Sequence, residues 1–277
     1  MLPATSALLA LRASGAPATT APAKPAPFGI AVQCWTFRRF SLFESVEMAA
    51  AAGADSIEIF PRQRIGGPHG NTNISPDIDD ATLQSLLDHL AKNKIVAMNF
   101  GVTNVPNDES KARPFFELAK KLNLYGITTE ASGSIDVLEK LAAEYDIKVC
   151  FHNHPKPTHL WNPDTVLKLI EGRHANLGFC ADIGHWATSG LVPLDVIKKV
   201  APRVHAFHMK DRAAIGEAAP DLPFGTGIIN IPEILDAVRN EGFAGNVSIE
   251  YERNWENNLA EVAQCVGYLR GYSKINS

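Results

Sequence analysis

The sequence lacks the features that mark several classes of protein. Its four cysteines are widely spread and form no C-x-x-C pair, which argues against a disulfide scaffold and against a zinc knuckle. No stretch approaches the roughly 18 consecutive apolar residues that a membrane-spanning helix needs. Positive charge is not in excess either: the formal net charge is -4, which offers no electrostatic footprint for DNA, RNA or an anionic membrane. We therefore expect neither a nucleic-acid partner nor a membrane partner.

The first 27 residues differ in composition from the rest of the chain. They are rich in Ala, Pro, Thr and Ser and carry no hydrophobic periodicity. Residues 6–11 and the Ala-rich sequence after them resemble the end of a secretory signal, although no positively charged segment precedes them. A disordered leader is the other interpretation. The sequence thus predicts a leader over residues 1–27 and one domain over residues 28–277, with a periplasmic and a cytoplasmic location both open.

From residue 28 to residue 272 the chain repeats one unit, a short β-branched segment followed by a helical segment. Ser41 with Glu44 three residues later has the form of a capping box, and Gly53 stands where a helix C-cap belongs. The eight strands are predicted at residues 28–37, 56–60, 95–102, 126–131, 147–154, 177–182, 203–210 and 246–251. An open doubly wound sheet is the rival, but no Gly-x-Gly-x-x-Gly motif follows the first strand. Eight units match a closed barrel of about 250 residues, so the sequence predicts an α/β fold, a single (β/α)8 TIM barrel.

Side chains able to bind a metal gather at the C-terminal ends of four consecutive predicted strands. They are His152 and His154 on the fifth strand, Asp182 on the sixth with His185 after it, His208 and Lys210 on the seventh, and Glu250 and Glu252 on the eighth. In such a barrel these strand ends converge on the active site, and alternate residues of a strand share a face. A single acid at a strand end commonly caps a helix, but four strands ending in His, Asp, His and Glu are hard to attribute to capping. Mixed imidazole and carboxylate ligands suit divalent Mn, Co, Zn or Fe better than calcium.

Residues on three other strands give weaker signals. Glu58 and Glu130 stand at the ends of the second and fourth predicted strands, where a lone buried acid is costly without a partner. Either could bind sugar hydroxyls, and a salt bridge or helix cap is the alternative for each. Gln33 and Trp35 on the first strand could form a polar and apolar wall for a ring-shaped substrate, with core packing as the alternative for Trp35.

Five short segments together resemble the xylose isomerase-like TIM-barrel family. They are ADSIE at residues 54–58, FHNH at 151–154, CADIGH at 180–185, HAFHMKD at 205–211 and SIEYE at 248–252. That family includes sugar phosphate isomerases, ketose 3-epimerases, inosose-processing enzymes and endonuclease IV-type AP endonucleases. The resemblance runs from about residue 28 to residue 272 and implies metal ligation by four of the residues above, with substrate contacts from three others. The implied ligands are His152, Asp182, His208 and Glu250, and the implied substrate contacts are His154, His185 and Lys210.

One position departs from the family pattern. The ketose 3-epimerases that this chain resembles carry metal-bound glutamates on strands five and eight, and both glutamates move protons. Strand five offers His152 here, and a coordinated neutral imidazole cannot also act as a free base. Glu250 remains as one base, so the second proton-transfer group would be His185, Lys210, Glu252 or Glu130.

The residues and the resemblance together predict a metal-dependent enzyme that takes a proton from the carbon next to a carbonyl of a carbohydrate or polyol. Glu250 is the expected base, and the metal, manganese among the candidates, would stabilise the enediolate. An isomerase or epimerase is the first expectation, and a lyase or dehydratase acting on a keto-sugar or inosose is the second. An AP endonuclease and a non-catalytic sugar-binding barrel are further alternatives. The expected partner is a small carbohydrate, with a homo-oligomer left open.

Overall fold

Residues 28–216 and 219–275 are described by the computed structural model, so the predicted leader lies outside the described residues. Eight parallel strands form a closed barrel, which confirms the predicted (β/α)8 fold. Each barrel strand pairs with its neighbour along the chain, and the barrel closes where the first strand pairs with the last. In chain order the strands are β1 (Gly29–Gln33), β2 (Ser56–Ile59), β3 (Val96–Thr103), β4 (Gly126–Thr129), β5 (Lys148–His152), β6 (Leu177–Asp182), β7 (Val204–Met209), the small antiparallel ribbon of β8 (Asp211–Arg212) and β9 (Asp221–Leu222), and β10 (Asn246–Ile249).

Local sequence signals begin and end the helices on the outside of the barrel. The predicted capping box is confirmed: Ser41 Oγ accepts a hydrogen bond from the Glu44 N–H at 3.3 Å, and the Ser41 N–H donates to Glu44 Oε2 at 2.7 Å. Gly53, just past the end of that helix, has a φ of +85°, which glycine adopts at low cost. The helices are α1 (Leu42–Ala51), α2 (Asp80–Asn93), α3 (Glu109–Lys121), α4 (Ile135–Tyr145), α5 (Pro163–Ile170), α6 (Ile183–Thr188), α7 (Pro193–Val200), α8 (Ile231–Asn240) and α9 (Leu259–Ile275). Within the described ranges, no helix has the length and apolar character to cross a bilayer.

Several strand boundaries differ from the prediction by one to four residues. Two of them, and one helix that was not predicted, affect the site. β1 ends at Gln33, because the next four residues form a 3-10 helix in which the Trp35 N–H donates to Gln33 Oε1 at 3.1 Å. β5 ends at His152, which leaves His154 in the following loop. The prediction contained no helix corresponding to α6, which begins directly after β6 with Asp182 as its N-cap. A strand and a helix that meet at one residue leave no loop to mark the boundary in the sequence.

The barrel strands bury different kinds of side chain on their two faces. Side chains on their outer faces are large and apolar and pack against the helices, as Phe151, Phe179 and Phe207 do, each fully buried. Side chains in the lumen of the barrel are small or polar. Cys150, Cys180 and Ala206 form a separate buried cluster there, so these two cysteines are small buried side chains.

Candidate metal centre and active site

Four buried side chains from β5, β6, β7 and the end of β10 converge at the C-terminal mouth of the barrel. They are His152, Asp182, His208 and Glu250, and each offers a ligand atom within 4.8 Å of those of the other three. His152 Nε2 lies 3.5 Å from Asp182 Oδ2, and His208 Nδ1 lies 3.2 Å from Glu250 Oε2. The structure thus brings together the four residues that the sequence resemblance assigns as ligands.

His152 is held with one ring nitrogen directed into this cluster. Its Nδ1 lies 2.8 Å from Glu130 Oε1, and because an ionised carboxylate only accepts, the imidazole proton is on Nδ1. The lone pair of Nε2 is then free, and this buried atom has no hydrogen-bond partner. Burial lowers the pKa of His152, which favours the neutral imidazole that binds a metal. A carboxylate behind a ligating histidine is the usual support of a metal site.

His208 shows the same arrangement with its ring reversed. Its Nε2 lies 3.1 Å from Glu58 Oε1, while its buried Nδ1 has no partner with hydrogen-bond geometry. Gln33 Nε2 also lies near His208 Nε2, at the longer distance of 3.4 Å, and donates to the carbonyl oxygen of Gly101 at 3.1 Å. Two orphaned ring nitrogens and two carboxylates therefore point at one place. This N2O2 donor set fits a divalent zinc, manganese, cobalt or iron ion.

Glu58 and Glu130 occupy positions different from those expected of substrate contacts. Glu58 is fully buried, and its carboxylate accepts hydrogen bonds from Thr128 Oγ1 at 2.6 Å and Ser248 Oγ at 2.8 Å. It does not line the cavity, so its position favours the alternative, a buried partner of other polar side chains, over a contact with sugar hydroxyls. Glu130 also accepts from the His154 backbone N–H at 3.0 Å, and its Oε1 lies 2.6 Å from His154 Nδ1. Its geometry supports a role in orienting the two histidines, because its Oε1 is shared between them.

Lys210 is fully buried next to the carboxylates of the cluster. Its Nζ donates to Asp182 Oδ2 at 2.6 Å and to Glu250 Oε2, and lies 3.6 Å from Glu252 Oε2. Although burial lowers the pKa of Lys210, Asp182 and Glu250 raise it well above its usual range, so the side chain is a cation. Lys210 does not line the cavity. Its position therefore favours charge balance beneath the site over the predicted direct proton transfer.

A cavity of about 370 Å³ opens above the cluster. Predicted residues line its floor and walls, namely His152, His154, His185, Glu250, Glu252 and Trp35. Gln33, Arg38, Phe60 and Arg62 line it as well, and the last three were not predicted as site residues. All three lie in the connections that follow β1 or β2, at the end of the barrel where the site is expected, and this position is the signal that could have identified them.

His185 and Glu252 form a linked pair in the cavity wall. His185 Nδ1 lies 3.0 Å from the carbonyl oxygen of Asn153, so this nitrogen carries the proton. The other ring nitrogen lies 3.7 Å from Glu252 Oε2. Glu252 is in turn fixed by Trp35, whose Nε1–H donates to Glu252 Oε1 at 3.1 Å. The cavity thus contains an imidazole with one free nitrogen, positioned for acid or base chemistry.

Curated relatives match only part of this chain. The rhizopine catabolism protein MocC of Rhizobium meliloti is 26% identical over 221 residues, which cover 68% of this chain and 66% of MocC. An inosose dehydratase of Histophilus somni is 30% identical over 135 residues, 42% of this chain and 45% of that enzyme. The matched regions thus span from less than half to just under two thirds of these relatives.

Solved structures match nearly the whole chain. An uncharacterised protein from Parabacteroides distasonis shares 28% identity with a TM-score of 0.71, covering 89% of this chain and 99% of that one. The IOLI protein, solved with a bound zinc atom, has a TM-score of 0.67 at 17% identity and covers 90% of this chain and 99% of that one. The second likeness shows the fold alone.

The family model for the xylose isomerase-like TIM barrel matches residues 129–270, which is more than half of the chain. The matched region contains all four residues of the metal cluster. Together with the closed eight-stranded barrel, this match shows that the chain belongs to the xylose isomerase-like TIM barrel family.

Proposed function

We propose that this protein is a metal-dependent lyase that removes water from a keto-polyol, beginning with proton abstraction next to the carbonyl. The observation that carries the proposal is that the two acid–base groups of the site differ in chemical type. The metal cluster contributes the carboxylate Glu250, and the cavity wall contributes the imidazole His185. Elimination needs one base for the proton and one acid for the departing hydroxyl, and the two need not be alike.

Glu250 is the group that accepts the proton. Although burial raises the pKa of this carboxyl, Lys210 and His208 hold it well below its usual range, so Glu250 is ionised before the reaction. Lys210, bonded to both Glu250 and Asp182, keeps the two carboxylates from repelling each other. When bound by the four ligands, a divalent ion supplies Lewis-acid stabilisation of the negative charge that develops on a substrate carbonyl oxygen.

His185 is the group that donates a proton to the leaving hydroxyl. The Asn153 carbonyl holds the His185 ring with Nδ1–H turned away from Glu252. The proton to be donated would be carried at Nε2, which lies 3.7 Å from Glu252 Oε2. The hydroxyl leaves as water once Nε2 has transferred this proton. The position that a ketose 3-epimerase fills with a second glutamate is His152, whose Nδ1 is committed to Glu130 and whose Nε2 faces the cluster.

Similarity to an inosose dehydratase also supports elimination. Isomerisation or epimerisation, the first expectation from the sequence, is the second candidate. His185 favours it too, because a neutral imidazole with a free nitrogen can serve as a second base for the same carbon. The two candidates share proton abstraction by Glu250 and differ in what happens next.

Mass spectrometry in deuterated water separates the two reactions. Metal-loaded protein is incubated with a panel of inososes and ketoses, and we expect a product lighter than its substrate by one water. A product of unchanged composition that carries one deuterium would support the isomerase or epimerase instead. Binding without exchange or product across the panel would leave only a sugar-binding barrel.

Two variants assign the roles. Glu250→Gln should abolish both deuterium exchange and product, whereas His185→Asn should stop water loss and keep exchange at the carbon next to the carbonyl. The exposed Glu256→Gln, which loses only an ion pair with Arg39, is the matched control and should retain full activity. Full activity of Glu250→Gln would contradict the mechanism.

A further inference from the structure

Two arginines in the cavity differ from the arginines beside them in the sequence. Arg38 and Arg62 line the cavity, and among the described residues neither has a carboxylate within ion-pair distance. Arg39 and Arg64, by contrast, each pair with an acid. Arg39 Nε lies 3.1 Å from Glu256 Oε1, and Arg64 Nη2 lies 3.7 Å from Glu44 Oε2. In both pairs the arginine that faces the cavity is the one without an acidic partner.

Arg38 is held in place by aromatic rings rather than by an acid. Its guanidinium carbon lies 3.5 Å from the centre of the Trp255 ring and 4.8 Å from the centre of the Trp35 ring. Stacking uses the flat face of the guanidinium and leaves the N–H donors at its edge free. The tryptophans therefore position a charged fork, which is the geometry that binds a carboxylate or a phosphate through two hydrogen bonds.

Arg62 lies on the adjoining loop in an unusual backbone conformation. Its φ is +62°, in the left-handed region that side chains other than glycine and asparagine rarely adopt. The Arg62 N–H donates to the Ile74 carbonyl at 3.0 Å, which holds this conformation. The two loops meet where the rings of Trp35 and Phe60 pack edge to face, with their centres 5.2 Å apart. The arginines are therefore on neighbouring loops of one rim.

Acids elsewhere in the cavity do not neutralise these two cations. Glu250 is bonded to Lys210, and Glu252 accepts from Trp35 Nε1 and lies near both His185 and Lys210. Each carboxylate thus has partners of its own on the floor or wall. The rim has two guanidinium groups whose positive charge is available to a ligand.

We propose that the substrate carries an anionic group, a carboxylate or a phosphate, which Arg38 and Arg62 bind at the rim while the keto-polyol end reaches the floor. The second half of this statement rests on the proposed function, whereas the anion site does not. A neutral sugar would leave both guanidinium groups without a partner. An anionic substrate is also oriented by them, since only one of its ends matches the rim.

Calorimetric titration of the metal-loaded protein tests the anion site with three probes of similar size: D-fructose, D-fructose 6-phosphate and 2-keto-D-gluconate. We expect at least one anionic probe to bind roughly tenfold more tightly than fructose, with an advantage that shrinks as salt is added. Comparing the two anions shows whether phosphate or carboxylate is preferred. Arg38→Met and Arg62→Met should each remove most of the advantage, because methionine keeps the apolar stem and loses the charge.

The controls are Arg39→Met, beside the first arginine, and Arg253→Met, an exposed arginine that does not line the cavity. Both should keep the preference for the anionic probe. Equal affinity for fructose and both anions would overturn the proposal. So would a preference that survives in both cavity variants, since the anion would then bind the metal itself. If the protein turns over neutral inososes and shows no preference for anions, only the anion site is refuted. If it prefers anions but turns over none of the probes, only the proposed reaction is refuted.

Discussion

The two faces of the barrel strands carry out different tasks. On β7, Phe207 points outward, is fully buried and meets the ring of Phe243 edge to face at 5.4 Å. The next residue, His208, points inward and sits between the carboxylates of Glu58 and Glu250. The apolar side chains of the outer layer stabilise the fold by packing, whereas the polar side chains of the lumen form the candidate site. The strand period of two sorts the residues between these faces.

Histidines on the two faces of β7 titrate in opposite directions. His205, on the outer face, has its Nε2 3.0 Å from the Ala175 carbonyl oxygen. Burial, with nearby Lys148 and Arg203, lowers the pKa of His205 to about 4. Burial acts in the same direction on His208, but Cys180, Glu250 and Glu58 raise its pKa well above the ordinary value. In the metal-free site these neighbours outweigh burial for His208, whereas burial dominates for His205. A metal bound at His208 Nδ1 would displace the proton that the acids favour there.

The largest effect should come from removing a ligand in the lumen. Asp182→Asn keeps the size of the side chain and an oxygen for the α6 cap but loses the charge that faces the cluster. We expect loss of the metal and a fall in turnover of about a thousandfold or more, with the fold intact by circular dichroism. Metal content after dialysis provides the measurement, and the exposed Asp164→Asn is the control. A variant that retains both metal and activity would refute the ligand assignment.

A change on the outer face should instead lower stability. Phe207→Ala leaves a cavity between the barrel and its helices, so we expect a loss of about 3–5 kcal/mol in the free energy of unfolding, measured in urea. The folded fraction should bind metal with unchanged affinity. Weakened metal binding in that fraction would show that packing on the outer face also affects the metal cluster, and would contradict the separation of the two faces.

The carboxylate behind His152 should have an intermediate effect. Glu130→Ala removes the acceptor that holds the His152 ring and fixes its proton on Nδ1, and we expect metal affinity to fall by about 10- to 100-fold. Glu130→Gln, which keeps an oxygen acceptor, should restore part of the loss. Competition with a chelator of known affinity measures both, and unchanged affinity in Glu130→Ala would mean that Glu130 does not position the ligand.

The smallest expected effect is on the outer histidine. Because the folded pKa of His205, about 4, is below the ordinary 6.5, its neutral form stabilises the fold above about pH 6.5, and this contribution is lost as the pH falls toward 4. His205→Gln, which keeps a donor for the Ala175 carbonyl, should reduce the loss of stability between about pH 7 and pH 5 by at most about 2 kcal/mol. Urea unfolding at the two pH values gives this difference, and an identical loss in wild type and variant would contradict it.

The sequence by itself predicted the elements whose causes are local. The capping box at Ser41 needs only a residue three positions away, and the predicted bounds of β6 agree with the structure. The strand ends that carry the four metal-cluster residues were also predicted, because inward and outward positions follow from the strand period once the barrel is inferred.

Only the tertiary structure decided which partners those residues have. Glu58 reaches His208 across 150 positions of sequence, and Arg38 stacks on Trp255 from a different strand end. Lys210, expected to contact substrate, is instead held beneath the cavity by Asp182 and Glu250. These contacts depend on the register of neighbouring strands and on barrel closure, which are properties of the whole sheet and have no local signal. The sequence therefore determined which groups face the mouth of the barrel, and the closed sheet determined which of them bind a metal, support a ligand or remain free for a substrate.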